Sequence, residues 1–410
     1  MVESWKRTTL GDIADFRNGL NFVRGERGRP VKVVGVGDFQ MHESLSDFSG
    51  TASVTIANTI RDEDLLQDND LLFVRSNGNK ALIGRCVHIS GVREPITFSG
   101  FTIRARVNSA EVDHSYLSKL VRSPLFLQHL YRQGGGSSIS NLSQDALSDF
   151  GFGLPPLAEQ RKIAEVLRTW DEALEKLTAL RQLNIRRRVW FRTHLFTSKI
   201  RLPGYSGEWR EVRLSDVLHE HGLSSTGAEE VYSVSVHKGL VNQVEHLGRS
   251  FSAANTDHYN RVLPGDIVYT KSPTGDFPLG IIKQSKIDRE VIVSPLYGVF
   301  TPKTYALGVI LDALFESPLA ARNYLHPLVQ KGAKNTIAVT NSQFLEGKLR
   351  LPMDPAEQAA IADIVNASHA EGAGIEAEIE ALSRQKRGLM QKLLTGEWRV
   401  NLKSSQKEFS

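Results

Sequence analysis

Leu154-Pro-Pro-Leu-Ala-Glu159-Gln160-Arg-Lys-Ile163-Ala164 is answered 197 to 198 residues later by Leu351-Pro-Met-Asp-Pro-Ala-Glu357-Gln358-Ala-Ala-Ile361-Ala362. In both stretches a Leu-Pro pair closes one segment, and a Glu-Gln pair opens a run with apolar residues at helical spacing. A chain that repeats such a boundary should be read for an internal duplication before anything else. Working outward, Trp5-x-x-x-x-Leu10-x-Asp12 matches Trp209-x-x-x-x-Leu214-x-Asp216. Asp70-Leu-Leu-Phe-Val-Arg75-Ser76 matches Asp266-Ile-Val-Tyr-Thr-Lys271-Ser272. Gly84 matches Gly280, Ser123-Pro124 matches Ser317-Pro318, and Leu195-Phe-Thr197 matches Leu393-Leu-Thr395. The spacing drifts by a few residues, as it does when duplicated segments have gained or lost loop residues.

Each half reads as a globule followed by one long helix. The globules carry short β-like runs such as Val31–Val34, Leu71–Val74 and Val291–Val293, separated by Gly, Asn, Ser and Asp turns. The first helix should span about Leu157 to Phe196, and Ile163, Leu167, Trp170, Leu174 and Leu177 step by four and three along it. The second should open at Asp354-Pro355-Ala356-Glu357, which reads as a capping box with proline in the first turn. Its seam runs through Ile361, Val365, Ile375, Ile379, Leu382, Leu389 and Leu393, with Ser368, Gly372 and Lys386 as poor occupants. Four-three spacing is the seam of a coiled coil. Each helix would be about 60 Å long at 1.5 Å per residue, more than a single core needs, so the pair is expected as an antiparallel spacer. Gly372 and Gly374 each cost about 1 kcal/mol against alanine and mark an expected weak point.

The expected fold class is therefore α+β: two similar mixed α/β domains separated by two long helices in an antiparallel coiled coil, with a pseudo-two-fold repeat. The segments are 1–153, 154–200, 201–350, 351–400 and a tail, 401–410.

Composition removes several functions. With 50 Lys and Arg against 46 Asp and Glu, the formal net charge is +4, which permits nucleic acid without demanding it. The single cysteine, Cys86, allows neither an internal disulfide nor a thiolate metal cluster. No apolar run reaches membrane-spanning length, and the first residues lack the apolar stretch of a signal peptide, so a cytoplasmic chain is expected. There is no phosphate-cradling GxxxxGK[ST] loop and no [ND]-P-P-[FY] tetrapeptide. Glu346-Gly-Lys348 has the spacing of some nucleases but no visible partner aspartate, and His219 and His221 lack a third ligand. No catalytic residue, metal ligand or bound cofactor is expected.

What remains is a set of loops suited to binding. Arg75, Ser76, Asn77, Asn79, Lys80 and Arg85 follow one β-run, and Lys271, Ser272 and Thr274 follow its counterpart. Arg and Lys donate to guanine edges and phosphates, and Asn can bond adenine bidentately. A second loop precedes each long helix: Gln133 to Asn141, with Ser137, Ser138 and Asn141, and Gln330 to Ile337, with Lys331, Lys334 and Asn335. Both are free of acids and rich in small donors, as phosphate and base contact requires. Residues 181–201 carry seven cations and no acid, which suits a phosphate or an acidic partner surface.

The two Leu-Pro…Glu-Gln helices, the Leu389-Met-Gln-Lys-Leu-Leu-Thr-Gly396 ending and the paired Trp-x-x-x-x-Leu-x-Asp openings resemble the specificity subunits of type I restriction–modification enzymes. The resemblance covers nearly the whole chain. It implies two target recognition domains, each reading one half of a split, asymmetric DNA sequence, with the helices as a ruler for the gap. It also implies a subunit without catalysis that recruits two methyltransferase subunits and the restriction, or translocase, subunits. S-adenosylmethionine, ATP and magnesium would then sit on those partners, for adenine methylation or ATP-dependent cleavage. The loops near Arg75–Lys80 and Gly134–Asn141 would read one half-site, and those near Lys271–Thr274 and Lys331–Thr336 the other. Alternatives are the specificity subunit of a methylation-only system, or a nuclease or methyltransferase with unrecognised motifs.

Overall fold

The fold is that of a computed structural model, which describes residues 5–22, 29–39, 43–56, 60–133, 141–197, 199–244, 256–331 and 337–402. The chain forms two compact units, drawn otherwise than the consecutive segments expected from sequence. One comprises residues 1–177 and 378–410, the other residues 178–377. Each unit therefore joins a globule to half of each long helix, because those halves pack into the globule's own core.

In the first unit the main sheet orders its strands Ala14–Asn18, Thr102–Val107, Leu71–Val74, Cys86–Ile89 and Ser44–Leu45. The central strand Leu71–Val74 is buried on both faces, as its unbroken apolar sequence requires. Asp70 at its start is buried. Its carboxylate accepts from Gln67 N (2.7 Å) and takes Arg106 in two bonds of 2.8 and 2.7 Å, so the charge is fully paired. The second unit repeats the same order over four strands: Leu218–His219, Gly298–Pro302, Ile267–Tyr269 and Ile282–Gln284. Its Asp266 is buried likewise and accepts from Leu263 N, Thr301 Oγ1 and His221 Nε2 at 2.7, 2.7 and 2.9 Å. The duplicated aspartate is a structural anchor, and His221 is one of its bonds rather than half of a metal site.

The matched glycines have a shared cause. Gly84 and Gly280 both hold positive φ, +80° and +103°. A Cβ on Gly280 would lie 2.8 Å from Lys271 N, so only glycine suits the close approach.

The first long helix is Leu157–Leu195 and the second Pro355–Leu394, unbroken through Gly372 and Gly374. In the first unit Ile163, Ala164 and Leu167 share a core with Met390, Leu393 and Leu394, with Leu389 packed on its edge; Trp170, Leu174, Leu177, Ile379 and Leu382 are half-buried. In the second, Ile361 and Ile375 are buried and Val365 half-buried. There the seam turns polar. Asn184 is buried and donates to Glu371 Oε2 (3.1 Å) and Ser368 O (3.4 Å). Gly372 stands against it, where a Cβ would come within 3.1 Å of Asn184 Oδ1. The expected weak point is thus a place made for a neighbouring side chain.

The Glu-Gln pairs that open the helices are buried in both units. Glu357 does not close the capping box read from its spacing. Its carboxylate takes Arg201 in two bonds of 2.8 and 2.7 Å and accepts from Trp209 Nε1 at 3.2 Å, while the guanidinium lies 5.9 Å over the Trp209 ring. Asp354 caps alone, accepting from Ala356 N. Glu159 repeats the arrangement with Arg399 (2.6 and 2.7 Å) and Trp5 Nε1 (3.1 Å), Arg399 lying 5.5 Å over Trp5. Gln160 accepts from Asp113 N and donates to Glu111 O and Pro155 O; Gln358 accepts from Thr304 Oγ1 and donates to Pro352 O. Each clamp binds the start of one long helix to the residues just after the end of the other.

Among the described residues, no helix is long and apolar enough to cross a membrane.

Candidate nucleic-acid interface

Arg75 follows the central strand of the first unit and is half-buried. Its N–H and that of Ser76 both donate to Phe101 O (2.8 and 3.3 Å), and Nη1 reaches Gly100 O at 3.4 Å. Leu142 N donates to Arg75 O at 2.8 Å. That bond ties the end of the second candidate loop, exposed Asn141, to the start of the first. The structure thus brings the two loops together. Ser137 and Ser138 lie outside the described residues.

The asparagines do less than their residue type suggested. Asn77 Oδ1 accepts from Asn79 N (2.8 Å), and Asn79 Oδ1 accepts from Ala81 N (3.1 Å). Both oxygens are used in holding the turn, as asparagine often does, and only the NH₂ faces remain to donate. Lys80 is exposed beside them, and Arg85 is half-buried where its carbonyl accepts from Val74 N.

In the second unit Lys271 leaves the matching strand with a left-handed backbone, φ +59°. A β-carbon there is strained by about 1 kcal/mol or more, and such strain collects at binding sites. Burial lowers its ammonium pKa from the ordinary lysine value, and Glu220 opposes that. Glu220 in turn accepts from Asn341 Nδ2 at 2.5 Å, just beyond the second loop. Ser272 and Thr274 are exposed, and Thr274 and Phe277 exchange backbone bonds of 3.0 and 2.9 Å to close a tight turn. Gln330–Lys331 pairs antiparallel with Ile337–Ala338, so the two ends of the second loop are held side by side. Lys334, Asn335 and the Lys331 side chain lie outside the described residues.

The basic stretch after residue 180 has its acidic partners within the chain. Arg181 pairs with Glu376, Arg187 with Glu371, Arg188 and Arg192 with Glu316, and Arg201 with Glu357. Five of its seven cations are therefore engaged internally. Sequence reading missed these partners because each lies more than 120 residues away.

Glu346 and Lys348 pair with Arg213 (3.5 Å) and Glu211 (3.4 Å) across the edge of the strand pair Trp209–Arg213 and Lys348–Pro352. They do not converge on a common point. No group of three or more His, Cys, Asp or Glu side chains among the described residues is arranged to hold a metal ion. Cys86 is buried, which pushes its thiol up to about 12; a thiol so protonated is inert.

Comparison with known proteins finds the same resemblance, over part of the chain. Residues 2–184 match the family described as type I restriction modification DNA specificity domain. The specificity subunit of the type I restriction enzyme StySPI from Salmonella potsdam is 25% identical over 179 residues, which are 42% of this chain and 38% of that protein. The match thus spans well under half the length of that relative. Among solved structures, the S subunit of a type I restriction–modification system from M. genitalium has a TM-score of 0.56 at 15% identity, covering 95% of this chain and 96% of that one. A chain from a study of complex assembly and conformational transition of the type I R-M system scores 0.55 at 13% identity, covering 96% and 98%. These two likenesses are of fold.

Proposed function

Starting from a chain that carries the type I specificity domain and folds as specificity subunits do, we propose that it reads a bipartite, asymmetric DNA target, one block per globule. The observation that carries this is the duplication of the interface. In each unit a cation follows the central strand, beside a turn with exposed polar side chains, and in the first unit the N–H just after the second candidate loop donates to the backbone carbonyl of that cationic residue. Arg75 and Lys271 donate to base edges or phosphates of their own half-sites. The paired long helices set the unspecified gap between the blocks.

The chain acts in the cytoplasm as a scaffold without catalysis of its own. It holds two methyltransferase subunits, and in a full complex the restriction subunits. S-adenosylmethionine, ATP and magnesium are bound by those partners. The buried clamps and intramolecular ion pairs support this reading, since they commit the polar residues of the helices to holding the chain's shape.

The test is binding of target duplexes by the chain co-purified with its methyltransferase subunits. Arg75→Ala and Lys271→Ala should each cost roughly 1–3 kcal/mol and relax only one block. Affinity unchanged in both variants, or methyl transfer by the purified chain alone, would contradict the proposal.

A further inference from the structure

Phe101 and Leu296 are the observation. Phe101 is 62% exposed and Leu296 is 70% exposed, against an otherwise well-filled core in each unit. A single exposed apolar residue needs no explanation. Here the same place in two copies of one design carries one.

Phe101 immediately precedes the strand Thr102–Val107 and stands opposite Arg75, to which its carbonyl is bonded. In the second unit the strands pair as Ile267↔Phe300, Val268↔Val299 and Tyr269↔Gly298, and Leu296 lies in the turn that enters the strand beside the one Lys271 follows. So in each unit an exposed large apolar residue lies at the entry to the strand beside the one that the cation follows.

Both turns are fixed from behind. Phe101 O accepts from two consecutive N–H groups, Arg75 and Ser76. Tyr297 N donates to Ser294 O (3.0 Å) and Leu296 N to Ser294 Oγ (3.3 Å), while Asn260 Nδ2 donates to Pro295 O and Tyr297 O at 3.4 and 2.8 Å. Folding gains nothing from presenting an apolar side chain to water on a turn whose backbone is fixed. A rigid apolar group beside a cation is what the thymine edge of a base pair recognises, because its C5-methyl is the one apolar group in the major groove.

We infer that Phe101 and Leu296 are specificity-determining residues, each contacting a thymine methyl in the half-site its own unit reads. The inference rests on the proposed function and adds the residue pair and its base chemistry.

The experiment uses the complex of the full chain with its methyltransferase subunits. Target duplexes carry uracil in place of each thymine in turn, which removes only the methyl. The wild-type complex should bind about fourfold more weakly at one position in each block, as expected for one buried methyl. Phe101→Ala should lose that sensitivity in one block and keep it in the other; Leu296→Ala should do the reverse. Phe101→Leu, which stays apolar, should retain it. Both side chains are exposed, so the alanine variants should fold normally. The inference is overturned if alanine variants keep the wild-type base preference, or if neither block contains a thymine. A wild-type complex that binds target and scrambled duplexes equally overturns the proposed function itself, and this inference with it.

Discussion

In the first unit the charges between globule and helix pair are Glu43, Lys119, Arg122, Asp171 and Lys386. In the second they are Arg188, Arg192, Glu316 and His369. Lys386 and Arg188 hold the same place in the repeat, as do Asp171 and His369. The helix cation is kept: in the first unit it meets an acid on the globule, Glu43, and one on the helix, Asp171, while in the second it pairs with the globule's Glu316 and His369 stands where the helix acid was. The Trp-Glu-Arg clamps, by contrast, are the same in both units. A buried carboxylate that must satisfy a guanidinium and an indole N–H in fixed geometry admits few substitutes. A partly exposed cluster needs only local charge balance, and many arrangements provide it.

The largest effect is expected at the clamps. Glu357→Ala leaves the buried Trp209 N–H and Arg201 without their acceptor and should destabilise by about 3 kcal/mol in chemical denaturation. Glu159→Ala should cost less, about 2 kcal/mol, because Trp5 and Arg399 are more open to water. Equal and small losses would show that the clamps are decorative.

Next comes the glycine pair. Gly280→Ala meets Lys271 backbone at φ +103° and should cost about 2 kcal/mol, with a displaced Lys271 and weaker binding to its half-site. Gly84→Ala meets only the Cδ1 of Leu130, which can rotate away, so about 1 kcal/mol is expected. Thermal melts of both variants rank the two.

The ion clusters predict an acid limit. Burial opposes ionisation of Glu316, but His369, Arg188 and Lys283 outweigh it and hold its carboxyl at about 2. Burial likewise works against Glu43, and Lys119, Arg122 and Lys386 outweigh it, again to about 2. Both folded values lie below the usual 4.5. Their stabilisation is therefore complete above that value and is lost as pH falls from about 4.5 towards 2. Glu316→Gln should remove about 1 kcal/mol at neutral pH and flatten the acid side of a stability–pH curve. An unchanged slope would contradict the pairing.

The smallest effect separates two neighbouring glycines. Gly374→Ala has open space and should stabilise by up to about 1 kcal/mol. Gly372→Ala should gain little, because the new methyl presses on Asn184 Oδ1.

The repeat, the helix limits and the seam were legible because they rest on periodicity and punctuation, which are local. Ile163 and Leu167 could be placed by spacing alone. The clamp arginines could not: Arg201 and Arg399 sit in unremarkable contexts and meet acids more than 150 residues away. For the same reason the cations of residues 181–201 looked available when five were already paired. The candidate loops were found by residue type. Their convergence needed the Leu142–Arg75 bond, and the apolar partners Phe101 and Leu296 showed no signal until exposure and register were known together.

The most direct test of the central claim is the methyl-adenine profile of the host genome with and without this gene. The account predicts that deletion erases methylation at one motif, two short specified blocks around a fixed gap, and that Lys271→Ala relaxes only one of them. A profile in which no bipartite motif changes on deletion would contradict it.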